Sequence, residues 1–107
     1  QMCIRDSFRA PLIVVLVSTK KDHPKVPEME QIISTGTAGQ NIMLALSALG
    51  YGAIWRTGSF AFNNKISEKF GLNENQTIIG YIYIGTPMGK KKSLPEMNTN
   101  DYISIWD

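Results

Sequence analysis

The sequence predicts an α/β domain in which one long helix packs on a small sheet. Three observations carry that reading. Two runs rich in branched apolar residues, LIVVLV at residues 12–17 and TIIGYIYI at residues 77–84, have the length and composition of buried strands. Between them, residues 27–49 repeat apolar side chains at spacings of three and four, the period of a helix with one buried face. The order strand, long helix, strand, short helix, strand is the alternation from which α/β domains are built.

Each element has its own warrant. Arg9, Ala10 and Pro11 lead into residues 12–17, a continuous apolar run of the kind expected for a central strand covered on both faces. Residues 18–25 hold lysines, Asp22, His23 and Pro24 and read as a loop. Pro27 suits the first helical position, and Glu28 and Glu30 suit the positive end of the helix dipole. Met29, Ile32, Ile33, Gly36, Gly39, Met43, Leu46 and Leu49 form the stripe, and Ile42, Leu44 and Ala45 widen it. Gly50 is placed to close the helix in the left-handed conformation. Over residues 27–49 the helix would run about 34 Å. Gly36 and Gly39 each cost about 1 kcal/mol relative to alanine inside a helix. They therefore want a reason: another backbone packed close, a flat ligand, or the same helix in a second subunit.

Gly52, Ala53, Ile54 and Trp55 read as a short strand. Asn63 or Asn64 caps a second helix, with Ile66 and Phe70 on one face and Gly71 ending it. Gly85, Thr86 and Pro87 stop the strand at residues 77–84. Residues 102–106 are strand-like and have no hairpin partner nearby, as in segments that pair with another chain. Three strands are too few to cover so broad a helix face. That points to an incomplete chain or an obligate oligomer.

A chain of 107 residues makes one small domain, and its 43% hydrophobic and 19% charged content is that of a folded protein. A net charge of +2 gives no argument for nucleic acid or an acidic membrane surface. No apolar run approaches the roughly 20 residues that span a bilayer. With Cys3 the single cysteine, no internal disulfide forms, which fits a reducing, cytoplasmic location. Residues 1–7, QMCIRDS, have no signal-peptide core and read as a non-native, adaptor-like tail, with Phe8 the first genuine residue. An ordinary polar arm is the alternative.

Familiar catalytic motifs fail one by one. Gly50-Tyr51-Gly52 follows a helix rather than a strand and lacks a third glycine, so it is no dinucleotide fingerprint. GTPMGKKKS at residues 85–93 is one residue short of a phosphate-binding loop, and Pro95 breaks the helix that must follow. His23 is the single histidine and lies in the lysine-rich loop, without partners for a metal site or a nucleophilic triad. The carboxylates are scattered. No catalytic side chain emerges, and a chain without acid, base or nucleophile leaves the chemistry to a cofactor.

Three segments together resemble one family. FRAPLIVVLV at residues 8–17, KVPEMEQIISTGTAGQNIMLALSALGYGAIWRTG at residues 25–58 and IIGYIYIGTP at residues 78–87 look like the C-terminal part of a flavin-dependent NAD(P)H nitroreductase of the YdjA-like branch. The resemblance covers residues 8–107. It implies a three-layer α/β/α sandwich that works as a homodimer, with FMN at the interface. The long helix and the C-terminal tail would both reach the partner subunit.

Carried over by motif, Trp55, Arg56 and Thr57 match the FMN-contacting turn, with Gly58 beside it. Ala45, Leu46, Ser47, Ala48, Leu49 and Gly50 match a stretch assigned to NAD(P). Lys90 or Lys92 matches a basic position that reaches the FMN phosphate. The family's Arg-Arg-Ser-type phosphate motif and its Asn/Pro-containing loop do not occur here. The expectation is therefore a chain holding about half of a flavin site. The implied reaction is ping-pong: hydride from NAD(P)H, then electrons to a small-molecule acceptor such as a nitroaromatic, quinone or enone. A non-catalytic fragment or dimerisation module is the alternative.

Overall fold

A computed structural model describes residues 10–57, 64–88 and 93–107. Its elements are β1 (Leu12–Thr19), α1 (Glu28–Ala48), β2 (Gly52–Arg56), α2 (Asn64–Lys69) and β3 (Gln76–Gly85), followed by a 3-10 turn at Thr99–Asp101. Each helix and strand falls within two residues of its expected bounds. Gly58, Asn63, Lys90, Lys92 and residues 1–9 lie outside the described residues.

The sheet order is β1-β3-β2, and β3 runs antiparallel to both neighbours. β1 and β2 therefore run the same way. β1, α1 and β2 make a split crossover unit with β3 inserted in the gap. This corrects the reading of residues 12–17 as the central strand. β3 holds that place, with Ile78, Tyr81, Ile82, Tyr83 and Ile84 buried, whereas β1 lies at one edge and Leu12 is exposed. Apolar content could not rank the two runs, because strand order follows from non-local pairing.

The sheet has two apolar faces. Under α1 lie Leu16, Ile82 and Ile84, packed with Val14, Ile42, Met43, Leu46, Ala53 and Trp55. On the other face Ile78, Tyr81 and Tyr83 pack with Ile13, Val15, Val17, Leu72 and Ile66 of α2. The result is helix, sheet, helix. Between Leu16 and Val17 the register slips, from Leu16 opposite Gly80 to Val17 opposite Ile78. The extra residue, Ile79, packs on the α1 side, while Ile78 joins the tyrosines.

α1 starts at Glu28, one residue after the position expected from Pro27. Pro27 is extended at the N-cap, and its carbonyl accepts from the Glu30 and Gln31 amides. The Gln31 side chain ties the preceding loop to the helix. Its Nε2 donates to the Lys21 and Val26 carbonyls at 2.9 and 3.1 Å, and its Oε1 accepts from the Lys21 amide at 2.9 Å. At the other end Gly50 has φ +89°, the Gly50 amide donates to Ser47, and Tyr51 donates to Leu46. These two bonds are a Schellman cap. α2 ends in the same way, with Gly71 at φ +70° and Leu72 donating to Ser67.

Part of the helix stripe stays exposed. Gly39 is the buried residue of α1, while Met29, Ile33, Leu44 and Leu49 are exposed. Residues 102–106 pair with no strand among the described residues, as expected of a segment without a partner in its own chain. They follow a turn held by Asn98, whose Oδ1 accepts from the Asn100 amide at 3.0 Å. Tyr102, Ile103, Ile105 and Trp106 are exposed, because no strand edge of this chain receives them.

Candidate functional site

β2 is the second edge of the sheet among the described residues, and two depressions meet on it. An antiparallel edge strand turns alternate N–H and C=O groups outward. The larger depression, about 600 Å³, is walled by Pro11, Ile54, Tyr83, Pro87 and Met88 and carries Arg56. The smaller, about 440 Å³, lies towards the end of α1 and is lined by Gln40, Met43, Leu44, Ser47, Gly50 and Tyr51. Gly52, Ala53 and Pro87 line both, so the start of β2 is the shared wall. A Cβ on Gly52 would stand 3.4 Å from Pro87 Cγ, so this partition is tight.

The strand period separates Trp55 from Arg56. Trp55 is opposite Ile82 and belongs to the α1 face, whereas Arg56 is opposite Tyr81 on the other face. Arg56 is half-buried, and among the described residues no carboxylate pairs with it. Thr57 follows at the end of the strand, half-buried.

The other expected residues scatter around this edge. Ser47 and Gly50 line the smaller depression, and Leu46 packs into the core beneath α1. Ala45, Ala48 and Leu49 are exposed on the helix. Lys90 and Lys92, the candidates for a phosphate contact, and Gly58 lie outside the described residues.

Two positions at the site were missed by sequence reasoning. Pro87, read as a strand stop, forms part of both walls. Gly80 lies beneath the Trp55 ring, and a Cβ there would be 2.5 Å from Cε2 and Nε1. A glycine inside TIIGYIYI is itself a signal of close approach. Of the helix pair, Gly39 has its reason in the same ring, with a Cβ 2.5 Å from Trp55 Cζ3, whereas Gly36 meets nothing within 4 Å.

Tyr81, next to Arg56 across the ladder, is buried. Its phenol is pushed above its usual value, first by burial and then by neighbouring Tyr83. Among the described residues no group of three or more His, Cys, Asp or Glu is placed to hold a metal ion. Among those residues no helix is long and apolar enough to cross a membrane.

A flat, partly apolar ligand fits this edge. The larger depression has the size of a small-molecule site, with apolar side chains for a ring face, outward backbone groups for a heteroatom edge, and a guanidinium for negative charge. These are the contacts an isoalloxazine would use.

Comparison with known proteins agrees in fold and sequence. The Nitroreductase family profile matches residues 6–86. The chain is 41% identical over 83 residues to YdjA of Escherichia coli K12, provisionally named an NAD(P)H nitroreductase, covering 78% of this chain and 45% of YdjA. A protein of Haemophilus influenzae, likewise provisionally named, is 31% identical over 100 residues, covering 92% of this chain and 54% of its own length. The chain thus spans about half the length of the curated relatives it matches. Among solved structures, a nitroreductase-like protein from Bacillus cereus superposes with a TM-score of 0.78 at 22% identity, covering 95% of this chain and 55% of that one. A structure described as an FMN and NADPH-dependent nitroreductase, NfnB of a Sphigopyxis strain, gives 0.72 at 18% identity, covering 92% and 45%.

Proposed function

The chain belongs to the nitroreductase family, and from that premise we propose that its β2 edge serves an FMN-dependent NAD(P)H oxidoreductase. The observation that carries this is the larger depression, where Arg56, without a carboxylate partner among the described residues, meets apolar walls and a free strand edge. When bound, FMN supplies reversible two-electron chemistry, with NAD(P)H as donor and a nitroaromatic, quinone or enone as acceptor, in ping-pong order.

The chain's own residues hold and tune. Arg56 would hold positive charge beside a bound flavin and favour negative charge on it. Outward backbone groups of β2 and the Thr57 amide donate to, or accept from, the heteroatom edge. Pro11, Ile54 and Pro87 exclude water from one ring face. The smaller depression, with Ser47 and Gly50, is the candidate position for part of the nicotinamide nucleotide. Lys90 and Lys92 remain proposed phosphate contacts. A cytoplasmic location belongs to the same reading, because NAD(P)H is an intracellular reductant.

The test is direct. The purified protein is titrated with FMN while flavin emission is followed, and NAD(P)H is then added under nitrogen. Saturable binding and bleaching of the flavin band by NAD(P)H are expected; a colourless protein that leaves flavin emission unchanged defeats the reading. A second reading, a dimerisation module without turnover, draws on the exposed apolar stripe of α1 and the exposed tail. In either case the proposed partner is a second copy, joined through α1 and residues 102–106.

A further inference from the structure

Of the expected flavin turn, Arg56 lines the larger depression, whereas Trp55 turns to the other face of the sheet. Its indole lies on the α1 side of the sheet, and two glycines flank it. A Cβ on Gly39 of α1 would stand 2.5 Å from Cζ3, and a Cβ on Gly80 of β3 would stand 2.5 Å from Cε2 and Nε1. Carbon atoms in contact stand about 3.5–4.0 Å apart, so neither position accepts a side chain while the ring is there. The Gly39 position is also 2.6 Å from Leu16 Cδ1 of β1. One rigid ring on β2 thus meets α1 and β3, with β1 beside it.

We propose that Trp55 is a positioning residue: its indole, held between Gly39 and Gly80, sets the distance of α1 from the sheet and so sets where the Arg56 and Thr57 backbone stands at the β2 edge. The consequence for ligand binding rests on the flavin reading, but the lock does not. The ring occupies one face of the strand and fixes its roll. Because alternate residues take opposite faces, fixing the roll at Trp55 fixes the direction of Arg56. Removing the ring leaves Gly39 and Gly80 facing a void, and β2, a strand of five residues, has no strand on its other edge among the described residues to hold it.

The lock is tested first without ligand, by a double-mutant cycle. Gly80→Ala is expected to lower the thermal midpoint by several degrees when Trp55 is present. In a Trp55→Leu background the same change should have no effect or raise the midpoint, since alanine then costs no clash and restricts the unfolded chain. Equal effects in both backgrounds would overturn the lock. Second, in Trp55→Phe, hydrogen exchange at the β2 amides bonded to β3 is expected to quicken about tenfold, with the β1 amides bonded to β3 within about twofold, as local opening requires. Unchanged exchange at those β2 amides would overturn the transmission to the edge.

Third, Trp55→Phe should weaken FMN about three- to tenfold while leaving the absorption envelope and emission of bound flavin unchanged. Recovery of flavin emission in that variant would mean that the indole touches the ring, and would also overturn the proposal. Should the unaltered protein take up no FMN, the flavin reading fails, and the first two measurements still decide the lock.

Discussion

Arg56 and Trp55 are adjacent in the chain and stand on opposite faces of the sheet, so their substitution should give different signatures. Arg56 is half-buried at the open edge of the sheet and has no carboxylate partner among the described residues. Arg56→Ala should therefore leave the thermal midpoint nearly unchanged and weaken FMN about tenfold, the value of one partly exposed charge-assisted hydrogen bond. Arg56→Lys should recover part of that loss, because the charge returns without the planar fork. Flavin titration of both variants checks this; equal affinity for all three proteins removes Arg56 from the site. Tyr81 gives a pH signature instead. Its phenol is raised in the folded chain, so its contribution to stability is complete below the unfolded value near pH 10 and is lost as pH rises through the folded value. Melting temperature should fall steeply above about pH 10, and Tyr81→Phe should flatten that fall. A parallel fall in the variant would assign the alkaline transition to other groups.

The elements explain how much was legible beforehand. β1, α1, β2, α2 and β3 were found within two residues because period and punctuation are local: branched runs, a 3-4 stripe, Pro27 before the helix, Gly50 and Gly71 after helices. Strand order was not legible, since LIVVLV is the more apolar run yet lies at the edge, and only pairing decides which is central. The alternation in GAIWR separates Trp55 from Arg56 without saying which one faces the helix. That follows from Gly39 and Gly80, whose missing side chains make room for one large ring. Residues 102–106 look like a strand because Ile103 and Ile105 alternate, and they remain unpaired because both sheet edges lie elsewhere. The caps can be tested in isolation. Gly50 stands at φ +89° with nothing near its Cβ position. Gly50→Ala should thus destabilise purely through the backbone, by about 1–2 kcal/mol. Gly50→Asn should cost less than Gly50→Ala, because asparagine tolerates the left-handed region. Urea midpoints of the pair check the order; equal loss would mean that the cap is not held in that conformation.

The whole chain carries more surface than its length calls for, and we propose that a second copy covers part of it. Its accessible area is 9023 Å², against about 6,000 Å² for a self-contained domain of this mass. Its radius of gyration is 17.0 Å, against about 13 Å expected. The difference in area, about 3,000 Å², exceeds the roughly 1,000–2,500 Å² that one partner contributes to an obligate interface, so a second copy would cover part of it. The apolar residues that compose it are concentrated on α1, at Met29, Ile33, Leu44 and Leu49, and in the tail, at Ile103, Ile105 and Trp106. A tail docked on a second copy would desolvate Trp106, which is 95% exposed in the single chain. In a Trp55→Phe background, where Trp106 is the remaining indole, its emission should shift to shorter wavelength as concentration rises through the dimerisation range. Sedimentation should show doubling of mass over that range. Removing residues 102–107 should weaken self-association by at least tenfold, the value of burying about one large apolar side chain. Emission that stays at the wavelength of exposed tryptophan while the mass doubles would place the tail outside the interface and leave α1 as its apolar contact. A mass that never doubles would instead mean that the excess surface is covered by chain of another kind, such as the part of the curated relatives' length that these 107 residues do not span.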